Sequence, residues 1–496
     1  MTPARALLCE TVTADTLGAL RAARDAATVG DLVELRVDGV RDLDVAGALE
    51  GRRGPVVVTC RAPWEGGRFE GSEDDRKAIL TRALELGAEF VDVEWRAGFQ
   101  DLIDVAPARV VVSHHAFDGV PSDLTDRVLA MRATGAGTIK VAVLTSRLSD
   151  TTQLAAIGAG GGAVVIGMGE SGLPSRLLAT QYRSRWTYAG DGVAPGQMPA
   201  RRMVEVFRFR DVGPDTRVFG VVSRTALHSL SPVMHNRAFA GAGIDAVYVP
   251  LQTDDFDDFL SFADGAGVQG ASVTIPFKLD ALRAARRSAG VATEVGAANT
   301  LRRAGSDWEA MNTDVDGFVA PLLADDTRGI GGRRASVLGA GGSARAVVVG
   351  LRRQGFDVTL HARRSAQARE VATMLGCAVG PWPPAGGSWD VLVNTTPLGG
   401  ANRRDESPVP GGPFGGGLVY DLTYGAGDSA LLREARASGC RVLDGLPMLV
   451  AQAERQFEWW TGQRPLPGLM ADAAREALAA AGAADDTRAR QPLSSQ

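Results

Sequence analysis

The sequence predicts an α/β protein: an N-terminal TIM-type (β/α)8 barrel fused to two further α/β domains, the second of them Rossmann-type. Three observations carry this reading. Over the first 190 residues, β-branched and apolar runs at 6–11, 32–38, 56–61, 90–95, 109–115, 138–144, 163–168 and 186–189 alternate with helical patterns such as 14–27, 73–87, 122–134 and 172–182. Eight β/α alternations in roughly 200 residues are what a small barrel needs. After Arg210-Asp-Val-Gly-Pro-Asp the pattern restarts at Val218-Phe-Gly-Val-Val, which marks 211–216 as a linker. At Ala335-Ser-Val-Leu a strand runs through a glycine turn into a helix, the layout of a dinucleotide-binding unit. The expected domains are therefore a barrel over 1–210, an α/β domain over 217–312 completed by helices at about 453–480, and the Rossmann-type domain over 313–452. Stretches 378–390 and 397–417 read as Gly/Pro-rich loops, and 485–496 as a disordered polar tail.

Composition narrows the function classes. A net charge of −5 and a pI near 5.7 give no basic footprint for nucleic acid, which favours a small-molecule partner. Cys9, Cys60, Cys377 and Cys440 lie far apart without metal-site or disulfide-framework spacing. The absence of an 18-residue apolar run and of a signal pattern predicts a cytoplasmic protein with no membrane partner. Oligomeric state is not encoded in these features.

Only three of the 53 basic residues are lysine. Lys77 lies four residues after Glu73 in a helical pattern and is expected to pair with it. Lys140, in Thr-Ile-Lys-Val-Ala-Val, and Lys278, in Thr-Ile-Pro-Phe-Lys, are different, because an ammonium can lose its proton whereas a guanidinium effectively cannot. Barrel active sites lie at the strand C-termini, where Glu34, Arg36, Arg61, Glu94, His115, Lys140 and Glu170 collect. A desolvated amine there is a nucleophile toward a ketone, and the resulting iminium acidifies the neighbouring C–H for a nearby imidazole. Of His114 and His115 only one can face the barrel interior.

Taken with Glu34-Leu-Arg36-Val-Asp38, Thr59-Cys-Arg61, Glu65-Gly-Gly, Ser113-His-His115, Lys140-Val-Ala, Gly169-Glu170, Ser175-Arg176 and Ala194-Pro-Gly-Gln197, residues 5–205 resemble the type I 3-dehydroquinate dehydratases. The resemblance implies that Lys140 forms the iminium, His115 is the general acid/base and Glu65 orients it. It implies that Glu34, Arg36 and Arg61 line the polyol side, while Arg176 clamps the substrate carboxylate and Gln197 caps it. Val193 stands where the family has a serine, and Ala116 where it has an aspartate.

Val337-Leu-Gly339-Ala-Gly341-Gly342-Ser-Ala344-Arg345 follows a strand and opens a helix, which gives a weak glycine pattern the context of a dinucleotide site. The next strand ends at His361-Ala-Arg363-Arg364, with arginines where an NAD site carries an acid, so NADP is expected. Upstream, Ser229-Leu-Ser231 offers either two hydroxyls for a carboxylate or a helix cap. Together with Thr274-Ile-Pro-Phe-Lys278, Asn299-Thr, Asn312-Thr-Asp314, Asn394-Thr-Thr-Pro-Leu-Gly, Asp421-Leu-Thr-Tyr424 and Asp444-Gly-Leu-Pro-Met448, residues 217–475 resemble shikimate dehydrogenase.

That resemblance assigns proton transfer to Lys278 and Asp314 while NADPH supplies hydride. It assigns the substrate to Ser229, Ser231, Thr274, Asn299, Tyr424 and Gln452, and the cofactor to Gly339, Gly341, Gly342, Ser343, Ala344, Arg363, Arg364, Thr395 and Met448. Ser223-Arg-Thr225 replaces the family's Gly-x-Pro, Ser272 an asparagine, and no proline follows Tyr424. The two halves joined resemble the plant-type bifunctional enzyme, making 3-dehydroshikimate from 3-dehydroquinate and reducing it to shikimate. One rival reading joins an aldolase-like barrel to a quinate dehydrogenase. Another keeps an active dehydrogenase beside a non-catalytic, metabolite-sensing barrel.

Overall fold

The computed structural model describes residues 5–192, 195–324, 332–400, 403–412 and 414–490. Eight strands, β1 (Leu7–Thr13), β2 (Leu32–Arg36), β3 (Val56–Thr59), β4 (Phe90–Glu94), β5 (Val110–Ala116), β6 (Thr138–Leu144), β7 (Ala163–Met168) and β8 (Trp186–Ala189), form one sheet in the order β7-β6-β5-β4-β3-β2-β1-β8. The seven ladders that join neighbours in this order, from β7–β6 to β1–β8, are all parallel. At the β7/β8 seam, Ser184 Oγ accepts the Val165 N–H at 3.1 Å and donates to Trp186 O at 2.8 Å, while Arg185 N–H donates to Ala163 O at 2.8 Å. Side chains alternate across each strand. Cys9, Leu32, Val57, Val111, Ala142, Val164, Ile166, Trp186 and Tyr188 thus pack into one apolar core. Two positions along the same face, the strands present Thr11, Glu34, Thr59 and Ser113.

The helical patterns are borne out at Leu17–Ala26, Glu73–Glu85 and Leu124–Ala133, but the one expected at 172–182 is only Leu173–Leu177. Lys77 pairs with Asp101 at 2.5 Å rather than with Glu73, whose carboxylate is taken by Arg76.

The chain forms two compact units. The first is Met1–Val218 with Arg224–Leu227 and Asp245–Val268; the second is Phe219–Ser223, His228–Ile244 and Gln269–Gln496. The segment Asp245–Val268 thus counts with the barrel, although it lies well beyond the expected linker at 211–216.

A six-stranded sheet has the order β10-β9-β11-β13-β14-β12, with β9 (Arg217–Ser223), β10 (Ala246–Gln252), β11 (Val268–Val273), β12 (Arg287–Ser288), β13 (Thr300–Ala304) and β14 (Asp307–Met311). The third sheet contains β15 (Arg334–Leu338), β16 (Asp357–His361), β17 (Ala378–Val379), β18 (Val391–Asn394), β19 (Leu418–Asp421) and β20 (Arg441–Leu443). Its strands are parallel in the order β17-β16-β15-β18-β19-β20, the doubly wound Rossmann arrangement. The strand order reverses between β15 and β18, where such sheets bind ligands. The helix Gly342–Arg353 packs its Ala344, Val347, Val348 and Leu351 on this sheet. The last helix runs to Arg490, so 485–490 are helical rather than disordered; 491–496 lie outside the described residues.

Candidate active sites

The inward face of the barrel ends in charge. On β4 the acids Asp92 and Glu94 stand two residues apart, so both point inward, and both are fully buried. Arg61, itself buried, reaches Asp92 Oδ1 and Glu94 Oε1 at 3.0 Å each and donates to Ser113 Oγ at 2.8 Å. Beneath it, fully buried Arg76 donates to the other oxygen of Glu94 and to Cys60 O. Asp92, which sequence reasoning missed, is signalled by the i, i+2 acids in the otherwise apolar run Phe-Val-Asp-Val-Glu. Burial alone would raise its pKa, but Arg61 and Lys140 hold it well below the usual carboxylate range.

Lys140 Nζ donates to Asp92 Oδ2 at 3.1 Å, lies 3.6 Å from Glu34 Oε1 and sits 4.1 Å from the centre of the Tyr188 ring. The amine is therefore buried among carboxylates, not against the purely apolar wall its flanking residues suggest. Glu34 accepts from Thr11 and Thr59 at 2.9 and 2.8 Å. Against the effect of burial, Lys140 and Arg36 lower its pKa.

His115 is the inward-facing histidine, its Nδ1 2.8 Å from Glu65 Oε2. Its neighbour His114 lies on the alternate face of β5, with Nε2 3.1 Å from Arg127 Nη1, the ring edge-on to Trp95 and Nδ1 3.7 Å from the other Glu65 oxygen. Burial, reinforced by the charge of Arg61, lowers the His115 pKa to about 4, with Glu65 opposing the shift. Burial pushes Glu65 up, yet contacts from His114 and His115 and the charge of Arg61 bring it to about 2. An ionised Glu65 accepts only, so Nδ1 carries the proton and Nε2 is free as a base.

These groups line a cavity of about 120 Å³ that includes Glu34, Arg36, Arg61, Glu65, His115, Lys140, Arg176 and Gln197. Arg36 is forked onto Asp38 at 2.8 and 3.0 Å. Arg176 is almost wholly buried and pairs with no acid among the described residues. It donates only to Tyr188 O and Pro195 O at 3.2 and 3.3 Å, its Nε is unpaired, and burial lowers its pKa to about 10. Gln197 Oε1, an acceptor, is buried and unpaired as well, so the corner combines a guanidinium suited to a carboxylate with an amide that can take a hydroxyl donor. Glu170 is not part of the lining; it accepts a hydrogen bond from Gln252. Val193 lies outside the described residues, while Ala116 ends β5, and the adjacent Phe117 lies parallel to the His115 ring at 6.3 Å.

In the second unit, Lys278 opens the helix Lys278–Ala284 and Asp314 opens the helix Asp314–Ala324. Lys278 Nζ donates to Asp314 Oδ2 at 2.5 Å and to Ser343 Oγ at 3.0 Å. Asn299 Nδ2 donates to the other Asp314 oxygen at 2.8 Å and to Gln452 Oε1 at 3.3 Å, which fixes the carboxylate. Ser272, the departure from the family's asparagine, donates to Gln456 Oε1 at 2.7 Å, and Gln456 in turn donates to Thr300 Oγ1 at 3.0 Å. Ser229, Ser231, Thr274 and Tyr424 make no hydrogen bond to the Lys278 cluster. Ser229 Oγ instead accepts the Ser231 N–H two residues on at 3.1 Å, a local turn; the helix Ser231–Gly241 starts after Leu230 without a side-chain cap, so the capping reading of this pair does not hold.

The dinucleotide loop leaves β15 at Gly339, whose φ of +112° few side chains tolerate. Thr395 packs against Gly339 and donates to Leu338 O at 2.7 Å. Gly341 faces open space, and a side chain on Gly342 would strike the Lys278 stem at 2.9 Å. The loop therefore leaves room for a pyrophosphate at a helix N-terminus while touching the lysine–aspartate pair. Arg363 and Arg364 follow β16, exposed and without acidic partners among the described residues. This set fits NADP, whose 2′-phosphate two arginines suit. Met448, expected against the cofactor, is a buried member of the Rossmann-sheet core.

Comparisons with known proteins match both halves. Residues 8–214 match the type I 3-dehydroquinase model, 221–301 the shikimate dehydrogenase substrate binding domain and 445–475 the shikimate 5′-dehydrogenase C-terminal domain. The chain is 31% identical to the chloroplastic bifunctional 3-dehydroquinate dehydratase/shikimate dehydrogenase of Arabidopsis thaliana, over 92% of this chain and 82% of the relative. It is 39% identical to the NADP(+) shikimate dehydrogenase of Hyphomonas neptunium, over 50% of this chain and 93% of the relative. A crystal structure of Thermus thermophilus shikimate 5-dehydrogenase with NADP(H) and shikimate is 34% identical, with a TM-score of 0.49, and covers 53% of this chain and all of that one.

Proposed function

The chain belongs to the bifunctional 3-dehydroquinate dehydratase/shikimate dehydrogenase family, and from that premise we infer how its residues perform the two steps. It is a shikimate-pathway enzyme, a lyase and an NADP-dependent oxidoreductase in one polypeptide. The observation that carries the residue assignments is one cavity whose lining brings together Lys140, the His115–Glu65 pair and Arg176.

Arg176 and Gln197 grip the carboxylate of 3-dehydroquinate, and Glu34, Arg36 and Arg61 hold its hydroxyls. Lys140 attacks the ketone carbon, water leaves, and a C=N⁺ bond forms. Asp92 and Glu34 face the positive charge of this iminium, so both carboxylates stabilise it. His115 Nε2 takes the proton from the adjacent carbon; the electron pair then expels the β-hydroxyl, which leaves as water with that proton. Hydrolysis of the iminium releases 3-dehydroshikimate and regenerates the amine.

In the second step, bound NADPH supplies hydride to the carbonyl carbon of 3-dehydroshikimate. Lys278, held by Asp314 and Ser343, gives the proton to the carbonyl oxygen. Asn299 locks Asp314, and Gln452, Ser229, Ser231, Thr274 and Tyr424 hold the substrate. Gly339, Gly341, Gly342, Ser343, Ala344 and Thr395 form the cofactor cradle, and Arg363 and Arg364 receive the 2′-phosphate.

We take 1–210 as the dehydratase, 217–312 with about 453–480 as the substrate domain and 313–452 as the NADP domain. The matched spans 8–214 and 221–301 support the division between dehydratase and substrate domain. A cytoplasmic location is supported by four free cysteines; no helix among the described residues is long and apolar enough to cross a membrane. The test is a coupled assay: 3-dehydroquinate plus NADPH should yield shikimate with NADPH consumed, and failure to consume NADPH with active added dehydratase would reject the second assignment.

A further inference from the structure

Two loops at the C-terminal end of the barrel are held from outside the barrel, within the same compact unit. The segment that holds them, Gln252–Asp258, lies in the span matched to the shikimate dehydrogenase substrate binding domain. Asp258 is almost fully buried, and its carboxylate is used up on the loop after β6. It accepts the Leu148 and Ser149 N–H groups at 2.8 and 3.1 Å, Ser149 Oγ at 2.5 Å and Arg147 Nε at 3.3 Å; Thr253 Oγ1 adds a further bond at 2.9 Å.

The loop after β7 is held in parallel. Gln252 Nε2 donates to Glu170, its backbone carbonyl accepts Ser171 Oγ at 3.1 Å, and its Oε1 is fixed by the Ala226 N–H at 3.0 Å. The next residue back, Gly169, donates its N–H to Pro195 O at 3.3 Å. That same carbonyl accepts Arg176 Nη2 at 3.3 Å, two residues before Gln197. A short relay thus runs from Gln252 through the Gly169–Ser171 turn to the corner formed by Arg176 and Pro195–Gln197.

We propose that Gln252 and Asp258 are positioning residues of the dehydratase: Gln252 braces the Gly169–Ser171 turn, which is bonded to the carboxylate-binding corner, Arg176 with Pro195–Gln197, and Asp258 braces the loop after β6, which meets that turn where Ser171 Oγ donates to Ser146 O at 3.5 Å. Neither touches substrate. Their effect therefore falls on how well the carboxylate is gripped rather than on the covalent step at Lys140.

The inference rests on Arg176 gripping the carboxylate, and the experiment separates the two. In the full-length chain, Gln252→Glu sets like charges against each other at Glu170. It should raise KM for 3-dehydroquinate about five- to tenfold, the scale of one or two lost hydrogen bonds, with kcat within about twofold. Adding Glu170→Gln restores the bond with donor and acceptor exchanged and should return KM toward the parent value. Asp258→Ala should shift KM in the same direction. Reduction of 3-dehydroshikimate, measured on the same preparations, reports that the chain is folded. A parent-like KM in Gln252→Glu, or a raised KM that Glu170→Gln leaves uncorrected, overturns the proposal. If Asp258→Ala does not fold, the exchanged pair alone decides. A parent-like KM in Arg176→Ala would instead overturn the reading on which the proposal rests.

Discussion

The two buried lysines sit in contrasting surroundings. Lys140 has two carboxylates, an aromatic ring face and a barrel wall of rigid parallel strands. Lys278 has one carboxylate, a serine hydroxyl from the dinucleotide loop and a place at a helix start. The difference follows from the chemistry each must do. An amine that becomes an iminium carries its positive charge through a covalent cycle, so counter-charges must be fixed in advance on both sides. A lysine that only gives a proton needs one partner and contact with the place where the hydride donor binds. Charge in the first site is dense and buried; in the second, the arginines for NADP stand exposed at the end of β16.

The largest effect separating the two sites is expected from Lys140→Arg. It keeps the charge and its carboxylate partners but not the nucleophile, so dehydration should fall to background while reduction of 3-dehydroshikimate persists. Steady-state assays of each half-reaction on one preparation check this. Next is Lys278→Ala, expected to lower kcat for reduction by about 10²–10⁴ while the dehydratase is untouched. A sharp rise in KM at unchanged kcat would make Lys278 a binding residue instead. Replacing Arg363 and Arg364 together by Ala should raise KM for NADPH by about tenfold or more, on the scale of charge-assisted hydrogen bonds, and leave NADH nearly unaffected. A parent enzyme that already prefers NADH would remove the basis of that contrast.

The smallest effect is one of pH. The folded-state pKa of His115, about 4, lies below its ordinary value of 6.5. The imidazole should stay neutral, and able to accept a proton, down to about pH 4. Between pH 6.5 and 4 the unfolded chain binds a proton that the folded site refuses, so His115 contributes stability above that window and loses it as pH falls. An NMR titration of labelled histidine should show this resonance moving near pH 4; a midpoint near 6.5 would mean the ring is less desolvated than the cavity implies.

Much of this was legible because period-2 alternation names the inward face: once β5 and β6 are strands, Ser113, His115 and Lys140 must look inward. Asp92 carries the same signal on β4. What alternation cannot give is partners that arrive from elsewhere in the chain. Arg76 reaches Glu94 from the helix Glu73–Glu85, and taking Glu73 as well leaves Lys77 to Asp101. The contact of Lys278 with Ser343 joins residues 65 positions apart, and no local pattern records it. Glu170 read as a site residue because it ends a barrel strand, yet its partner Gln252 belongs to a later segment. Local rules also explain why Ser229 pairs with the Ser231 backbone, since a serine hydroxyl readily accepts the N–H two residues on in a turn.

The central claim is that the barrel works through covalent chemistry at one lysine whose counter-charges are built in. It is tested most directly by incubating the full-length protein with 3-dehydroquinate, reducing with borohydride, and sequencing the modified peptide by mass spectrometry. The account predicts one stable adduct, on Lys140, absent from Lys140→Arg and unaffected by Lys278→Ala. An adduct on Lys77 or Lys278, or dehydration that proceeds in Lys140→Arg, would contradict it.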